Sequence, residues 1–308
     1  MWKYTVHFAP LQGYTDAPYR NAHHNLFGGI EAYYTPFIRL ESGKVRRKDI
    51  RDITPEFNRC GLLIPQVIAG TQNELNTILT DISKFSYKEI CLNMGCPFIM
   101  FTKRHKGSGI LPYPDKVNDL LDVLIDYPEI DFSIKMRIGH NTPEEYIALL
   151  PILNKAPLCR IIVHPRIGMQ QYKGDVNLDA FKNFYNECNH PLIYNGDITT
   201  AEYAHSITEK FPKIQGVMIG RGLLSRPSLA HELTNGLNWT ECELKDKIGQ
   251  MHSELFAHYQ SVLQGDIQIL FKMRSFWEYL QPIMDRKMFK GIKKSRNIDK
   301  YKNIVSLF

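Results

Sequence analysis

The chain has 308 residues, 44% hydrophobic and 23% charged, a length for one large domain or a large and a smaller one and a composition that excludes disorder, collagen-like repeats and coiled coil. No apolar run reaches the roughly 20 residues of a membrane span, and Met1-Trp2-Lys3-Tyr4-Thr5-Val6-His7-Phe8 lacks the long apolar stretch of a signal peptide, so a soluble cytoplasmic protein is expected; a monomer is the separate expectation for its assembly. Six cysteines are too few for a disulfide framework, and the net charge of +6 is mild for the whole chain.

In chain order, short β-rich runs occupy 5–9, 32–37, 62–68, 89–93, 132–137, 160–164, 192–195 and 216–220, their starts 24 to 32 residues apart except for one interval of 43. Between them lie stretches of helical spacing. At 115–127, Val117, Leu120, Leu121 and Leu124 share a face, and Thr200 with Glu202 marks another helix start. Eight strands alternating with helices predict an α/β fold closed as a (β/α)8 TIM barrel. A doubly wound open sheet would have fewer strands and an early glycine-rich dinucleotide turn, and neither GxGxxG nor GxxxxGK[ST] occurs.

After Arg226-Pro227-Ser228 the pattern changes. Leu244, Ile248, Met251, Leu255, Tyr259 and Val262 give a helix over 241–263; a second is expected over 267–279 and a third after Asn297. The expected division is a catalytic barrel over 1–236 and a small all-helical domain over 237–308. The charge divides likewise. From Asp266 onward there are ten Lys/Arg against four Asp/Glu, while the preceding 265 residues balance at 28 of each sign. A basic segment interleaved with Trp277, Tyr279, Phe289 and Tyr301 suits nucleic acid, although charge alone also fits a solvated tail.

In such a barrel, chemistry gathers at the C-terminal ends of the strands. Those ends read Ala9-Pro10-Leu11-Gln12-Gly13, Gln66, Asn93-Met94-Gly95-Cys96-Pro97, Lys135 with Arg137, His164-Pro165-Arg166, Asn195-Gly196-Asp197 and Gly220-Arg221-Gly222. Glycine turns after strands seven and eight are ordinary turns or, as a pair beside Arg221, a phosphate site. A lone His164 is a core histidine or part of the site. Cys96 stands at a strand end, and a thiol of ordinary pKa, about 8.5, carries a proton at neutral pH. Cys60, Cys91, Cys159, Cys188 and Cys242 are read as small buried hydrophobes, and the spacing of Cys91 and Cys96 offers no metal site. His23, His24 and the 103–106 stretch are read as surface, the latter in reach of RNA.

These segments resemble the tRNA-dihydrouridine synthase family. The likeness runs through residues 9–17, Asn93-Met94-Gly95-Cys96-Pro97, Lys106-Gly107-Ser108-Gly109-Ile110-Leu111, Ser133-Ile134-Lys135-Met136-Arg137-Ile138-Gly139, His164-Pro165-Arg166 with Tyr172-Lys173-Gly174, Asn195-Gly196-Asp197-Ile198 and Val217-Met218-Ile219-Gly220-Arg221-Gly222. Seven motifs in order are specific where one would be weak. The resemblance implies an FMN-dependent enzyme, charged by NADPH, that reduces a uridine of tRNA to 5,6-dihydrouridine. It makes Cys96 the general acid at C5. It places Lys135 at the N1–C2 carbonyl edge of the flavin, Gln66 at its pyrimidine edge, His164 beside it and the Pro10, Leu11 and Gln12 backbone over the ring. Asn195, Gly196, Asp197, Gly220 and Arg221 would hold the ribityl chain and phosphate; Asn93, Arg137 and Tyr172 are candidates for grasping uracil. Two positions depart from the family pattern: Phe98-Ile99-Met100 replaces basic residues, and His105 stands where a glycine is common. The alternatives are an FMN barrel acting on a free pyrimidine and a non-catalytic RNA-binding barrel. Cutting the chain near Gly236 is expected to remove RNA affinity and keep FMN if the barrel folds alone.

Overall fold

The computed structural model describes residues 2–308. All eight expected strands form: Thr5–Phe8, Ala32–Tyr34, Leu62–Ile64 continued by Gln66–Val67, Glu89–Met94, Asp131–Gly139, Leu158–Ile167, Leu192–Tyr194 and Gly216–Ile219. Every pairing in the main sheet is parallel, and the last strand returns to the first in the register Thr5↔Gly216. The third strand is interrupted by Pro65, whose missing N–H cannot serve a ladder. Its first half pairs with strand two and its second half with strand four, so the barrel closes across the break. A two-residue hairpin, Leu40–Glu41 with Lys44–Val45, has no counterpart in the sequence reading.

Alternation along the strands sorts the residues into two cores. One face meets the outer helices in the large cluster that includes Val6, Leu92, Ile134, Ile161 and Val217. The other face fills the barrel with Ala32, Tyr34, Ile64, Cys91, Ile162, Ile193 and Met218. One step of two residues beyond this plug, the same face presents Gln66, Asn93, Lys135, His164 and Asn195. An apolar layer beneath polar strand ends supplies a rigid floor.

The C-terminal helices follow from local signals. Glu241–Val262 opens with a capping box in which Thr240 Oγ1 accepts from Glu243 N and a Glu243 carboxylate oxygen accepts from Thr240 N. Asp266–Glu278 and Ile298–Val305 match the expected second and third helices. Arg286–Lys294 was not expected. It is capped by Asp285 and buries only Met288, Phe289 and Ile292, too few apolar positions to announce it. Trp277 is fully buried at the centre, its Nε1 donating to Tyr301 Oη at 2.8 Å. Three of the four aromatics offered for nucleic acid, Trp277, Phe289 and Tyr301, are thus core. The lysines and arginine among them, Lys287, Lys290, Lys293, Lys294, Arg296, Lys300 and Lys302, are all exposed. Among the described residues no helix is long and apolar enough to cross a membrane.

Candidate active site

A cavity of about 560 Å³ opens at the C-terminal mouth of the barrel, within the few-hundred to 1,000 Å³ range of ligand pockets. Nine of the eleven residues expected around a cofactor line it: Pro10, Leu11, Lys135, His164, Asn195, Gly196, Asp197, Gly220 and Arg221. The other two, Gln12 and Gln66, line an adjoining recess with Asn93, Cys96 and Arg137, and Tyr172 borders both spaces. Strand-end geometry therefore gathers every predicted site residue into one continuous depression.

Cys96 sits at the head of a fixed turn. Asn93 Oδ1 accepts from Gly95 N at 3.1 Å and from Cys96 N at 2.5 Å, and Asn93 Nδ2 donates to Gln66 Oε1 at 2.7 Å. The Cys96 carbonyl accepts from Ser108 N and Oγ, at 2.9 and 3.2 Å. Gly107, at φ +58°, passes so close that a Cβ there would lie 2.3 Å from the Cys96 carbonyl oxygen, which is why this loop needs glycine. His105 is likewise in the left-handed region, at φ +52°. That explains the preference for glycine there, since a side chain costs about 1–2 kcal/mol in this region.

Burial pushes the Cys96 thiol up to about 11, with Arg137 and Lys135 pulling the other way, so the thiol is protonated at neutral pH. Burial, then the Arg137 charge, pushes Lys135 down to about 8. Lys135 has no ion pair or hydrogen-bond partner among the described residues, leaving its ammonium directed to the cavity. Arg137 is 2% exposed, its guanidinium donating to the Gly95 and Ile167 carbonyls, each at 2.9 Å. Burial and four neighbouring cations, Arg137 first, hold His164 well below the ordinary imidazole range, so it is neutral.

Asp197 is spent on protein partners. Arg166 Nη1 donates to it at 2.8 Å, Arg166 Nη2 donates to its other oxygen, and Arg221 Nη2 reaches it at 2.9 Å. Burial alone would raise this carboxyl, but the two guanidiniums hold it below the usual range. Asp197 is at φ +47°, which turns the loop after strand seven. Arg166 lies at the end of strand six, two residues beyond His164, a spacing that puts both on the same inward face, although nothing local in the sequence gives it a role.

The tail also contributes to the site, which no local sequence motif signals. Glu278, Tyr279, Gln281 and Pro282 line the main cavity. Tyr14 Oη donates to Glu278 Oε2 at 2.7 Å, and Asp16 accepts from Tyr259 Oη at 2.9 Å and Lys272 Nζ at 2.5 Å. The helical segment is thus a wall of the site, and removing it at Gly236 takes part of the cavity with it. Two residues expected at the surface lie elsewhere. His23 is fully buried between Tyr33 Oη and the Pro227 carbonyl, and Lys106 is drawn down to Glu74 at 2.6 Å. Of the packing cysteines, Cys60 and Cys91 are buried, Cys159 and Cys188 partly so and Cys242 exposed.

Fold and site together define a (β/α)8 barrel whose strand ends bring a buried proton-bearing thiol and an unpaired lysine to one mouth. The profile of the Dihydrouridine synthase (Dus) family matches residues 7–300, and the chain belongs to that family. Similar proteins include tRNA-dihydrouridine synthase B of Vibrio vulnificus (strain CMCP6), 26% identical over 91% of this chain and 83% of that one. The protein of the same name from Pasteurella multocida (strain Pm70) is 22% identical over 85% and 78%. Among solved structures, TcOYE with pHBA superposes with a TM-score of 0.53 at 11% identity, over 79% of this chain and 95% of that one. A variant of NCR from Zymomonas mobilis gives 0.53 at 10%, over 76% and 87%. At such identities these two structures speak to the fold alone.

Proposed function

We propose that the chain reduces the C5=C6 bond of uridine in tRNA to 5,6-dihydrouridine, working as a cytoplasmic monomer with FMN as cofactor and NADPH as reductant. The observation that carries this reading is the buried, protonated Cys96 in a recess continuous with the Lys135-lined cavity, in a chain of the dihydrouridine synthase family. The residues present fit a flavin mononucleotide. Lys135 offers an unpaired cation to a cavity that is also lined by Asn195, Gly196, Gly220 and Arg221. Arg221 and the backbone of the two glycine turns suit a phosphate.

When bound, the flavin supplies the hydride that adds to uracil C6. Cys96 delivers the proton to C5: its S–H bond breaks as the C5–H bond forms, and Arg137 and Lys135 steady the thiolate left behind. Asn93 and Gln66 hold the cysteine turn at the recess, while Tyr172, backed by the guanidiniums of Arg137 and Arg221 at 5.5 and 4.8 Å from its ring, borders the uracil space. His164, kept neutral, adds no charge beside the ring. Residues 1–236 serve as catalytic barrel and 237–308 as the basic tRNA-binding part. The test is tRNA from a knockout strain restored with this gene, mapped by mass spectrometry for the gain of two hydrogens. Cys96→Ala should keep the cofactor and lose about 100-fold or more in rate; wild-type turnover in that variant, or reduction of free uracil without RNA, would refute the assignment.

A further inference from the structure

We propose that Phe98 is a stacking platform for an unstacked base of the substrate RNA, next to the uridine that enters the recess; this rests on the reading of tRNA uridine as substrate. Phe98, Ile99 and Met100 follow Cys96-Pro97 directly and are 50%, 67% and 58% exposed. Single exposed apolar residues are commonplace, but three in a row at the lip of a site are not. The segment is held outward from below. Phe101 is sunk into the cluster of Phe37, Ile68 and Cys96, edge-on to Phe37 at 5.1 Å, with the Arg39 guanidinium 5.3 Å from its ring. The Phe98 carbonyl accepts from Phe101 N at 2.9 Å and Thr102 N at 3.1 Å. Gly109 lies so close beneath that a Cβ would meet Thr102 Cα at 2.4 Å. With Phe101 anchored, the preceding side chains are fixed toward solvent.

Two features single out a nucleic-acid base as the occupant. Phe98 lines the same recess as Cys96 and Arg137, so whatever covers it is continuous with the reacting ring. Lys103 and Arg104, both exposed, follow on the same segment and supply charge for phosphates beside an aromatic face, which neither a lipid tail nor an apolar protein surface would require. Drawing a uridine from its stack uncovers the face of its neighbour, and an apolar side chain at the exit compensates for that lost stacking.

The test compares Phe98→Ala and Phe98→Trp in the full-length, flavin-loaded protein acting on an unmodified tRNA transcript. Phe98→Ala should raise the KM or Kd for the transcript by about 5- to 150-fold, the range for removing one base–aromatic stack. Flavin content, the rate of flavin reduction by NADPH and thermal stability should stay at wild-type values, Phe98→Trp should restore binding, and ultraviolet cross-linking should join the Phe98 peptide to the nucleotide beside the dihydrouridine. Phe98→Ala equal to wild type in KM and Kd overturns the platform alone. So does an unchanged KM in a variant that converts a wild-type dimer to monomer, which would make the patch a self-association surface. A wild-type protein that leaves the transcript unreduced overturns the substrate reading and the platform with it.

Discussion

Two side chains at the strand ends titrate in opposite directions for the same reason. Removal from water disfavours charge, so the Cys96 thiol rises to about 11 and the Lys135 ammonium falls to about 8. Across the neutral range the acid keeps its proton. The Lys135 cation is present below about pH 8 and disappears above it. Uridine reduction should therefore decline as pH rises through about 8, well before Cys96 ionises, and Lys135→Arg should move that alkaline limb upward because a guanidinium stays protonated. A rate profile from pH 6 to 10 decides the matter; a limb unmoved by Lys135→Arg would assign it elsewhere. Residues of this kind were legible because inward positions recur every second residue, so polar groups ending apolar strands had to meet at one mouth. The claim of Arg166 on Asp197 was not legible. It spans two strand ends and depends on which of several nearby charges comes closest.

At the level of elements, the loop after strand one is clasped by the tail. Asp16 gathers Tyr259 and Lys272, Tyr14 holds Glu278, and the Tyr14 and Tyr279 rings meet edge-on at 5.3 Å. Asp16→Ala would leave a tyrosine hydroxyl and an ammonium without their acceptor and should cost about 1–3 kcal/mol in urea unfolding. Tyr279→Ala, with most contacts of the tail intact, should instead weaken flavin retention by opening the cavity wall, read as a higher Kd in titrations of the apoprotein. Flavin affinity equal to wild type would show that the wall is passive. Barrel strands and the long helices were legible from period and caps. This clasp was not, since its partners lie about 250 residues apart and no local pattern couples them. The break at Pro65 could be anticipated from the missing N–H, whereas the change of partner across it is a property of barrel closure.

For the whole molecule, charge and burial give two separate dependences on solution conditions. The seven exposed basic residues between Lys287 and Lys302 should make tRNA binding fall steeply with salt, with a log–log slope of about 0.7–0.9 per phosphate neutralised. Lys290→Gln with Lys293→Gln should flatten that slope by about one to two while leaving turnover at saturating tRNA unchanged. Acid acts through the interior instead. Burial holds His7 and His23 at about 3 and His252 at about 4, and His164 well below the ordinary 6.5. Below pH 6.5 the unfolded chain thus binds protons at these histidines that the native state refuses, and stability falls as pH falls toward about 4. Each site costs about 1.4 kcal/mol per pH unit, so near pH 5 His7, His23 and His252 together remove roughly 6 kcal/mol, comparable to the whole stability of a typical domain. Acid titration followed by tryptophan fluorescence should show cooperative unfolding near pH 5, and His23→Gln, with one fewer site, should reduce the pH slope of unfolding free energy by about 1.4 kcal/mol per pH unit. A stability curve flat from pH 7 to 4 would mean that these imidazoles reach water, and the close packing around Tyr33, Pro227 and Trp277 would then be wrong.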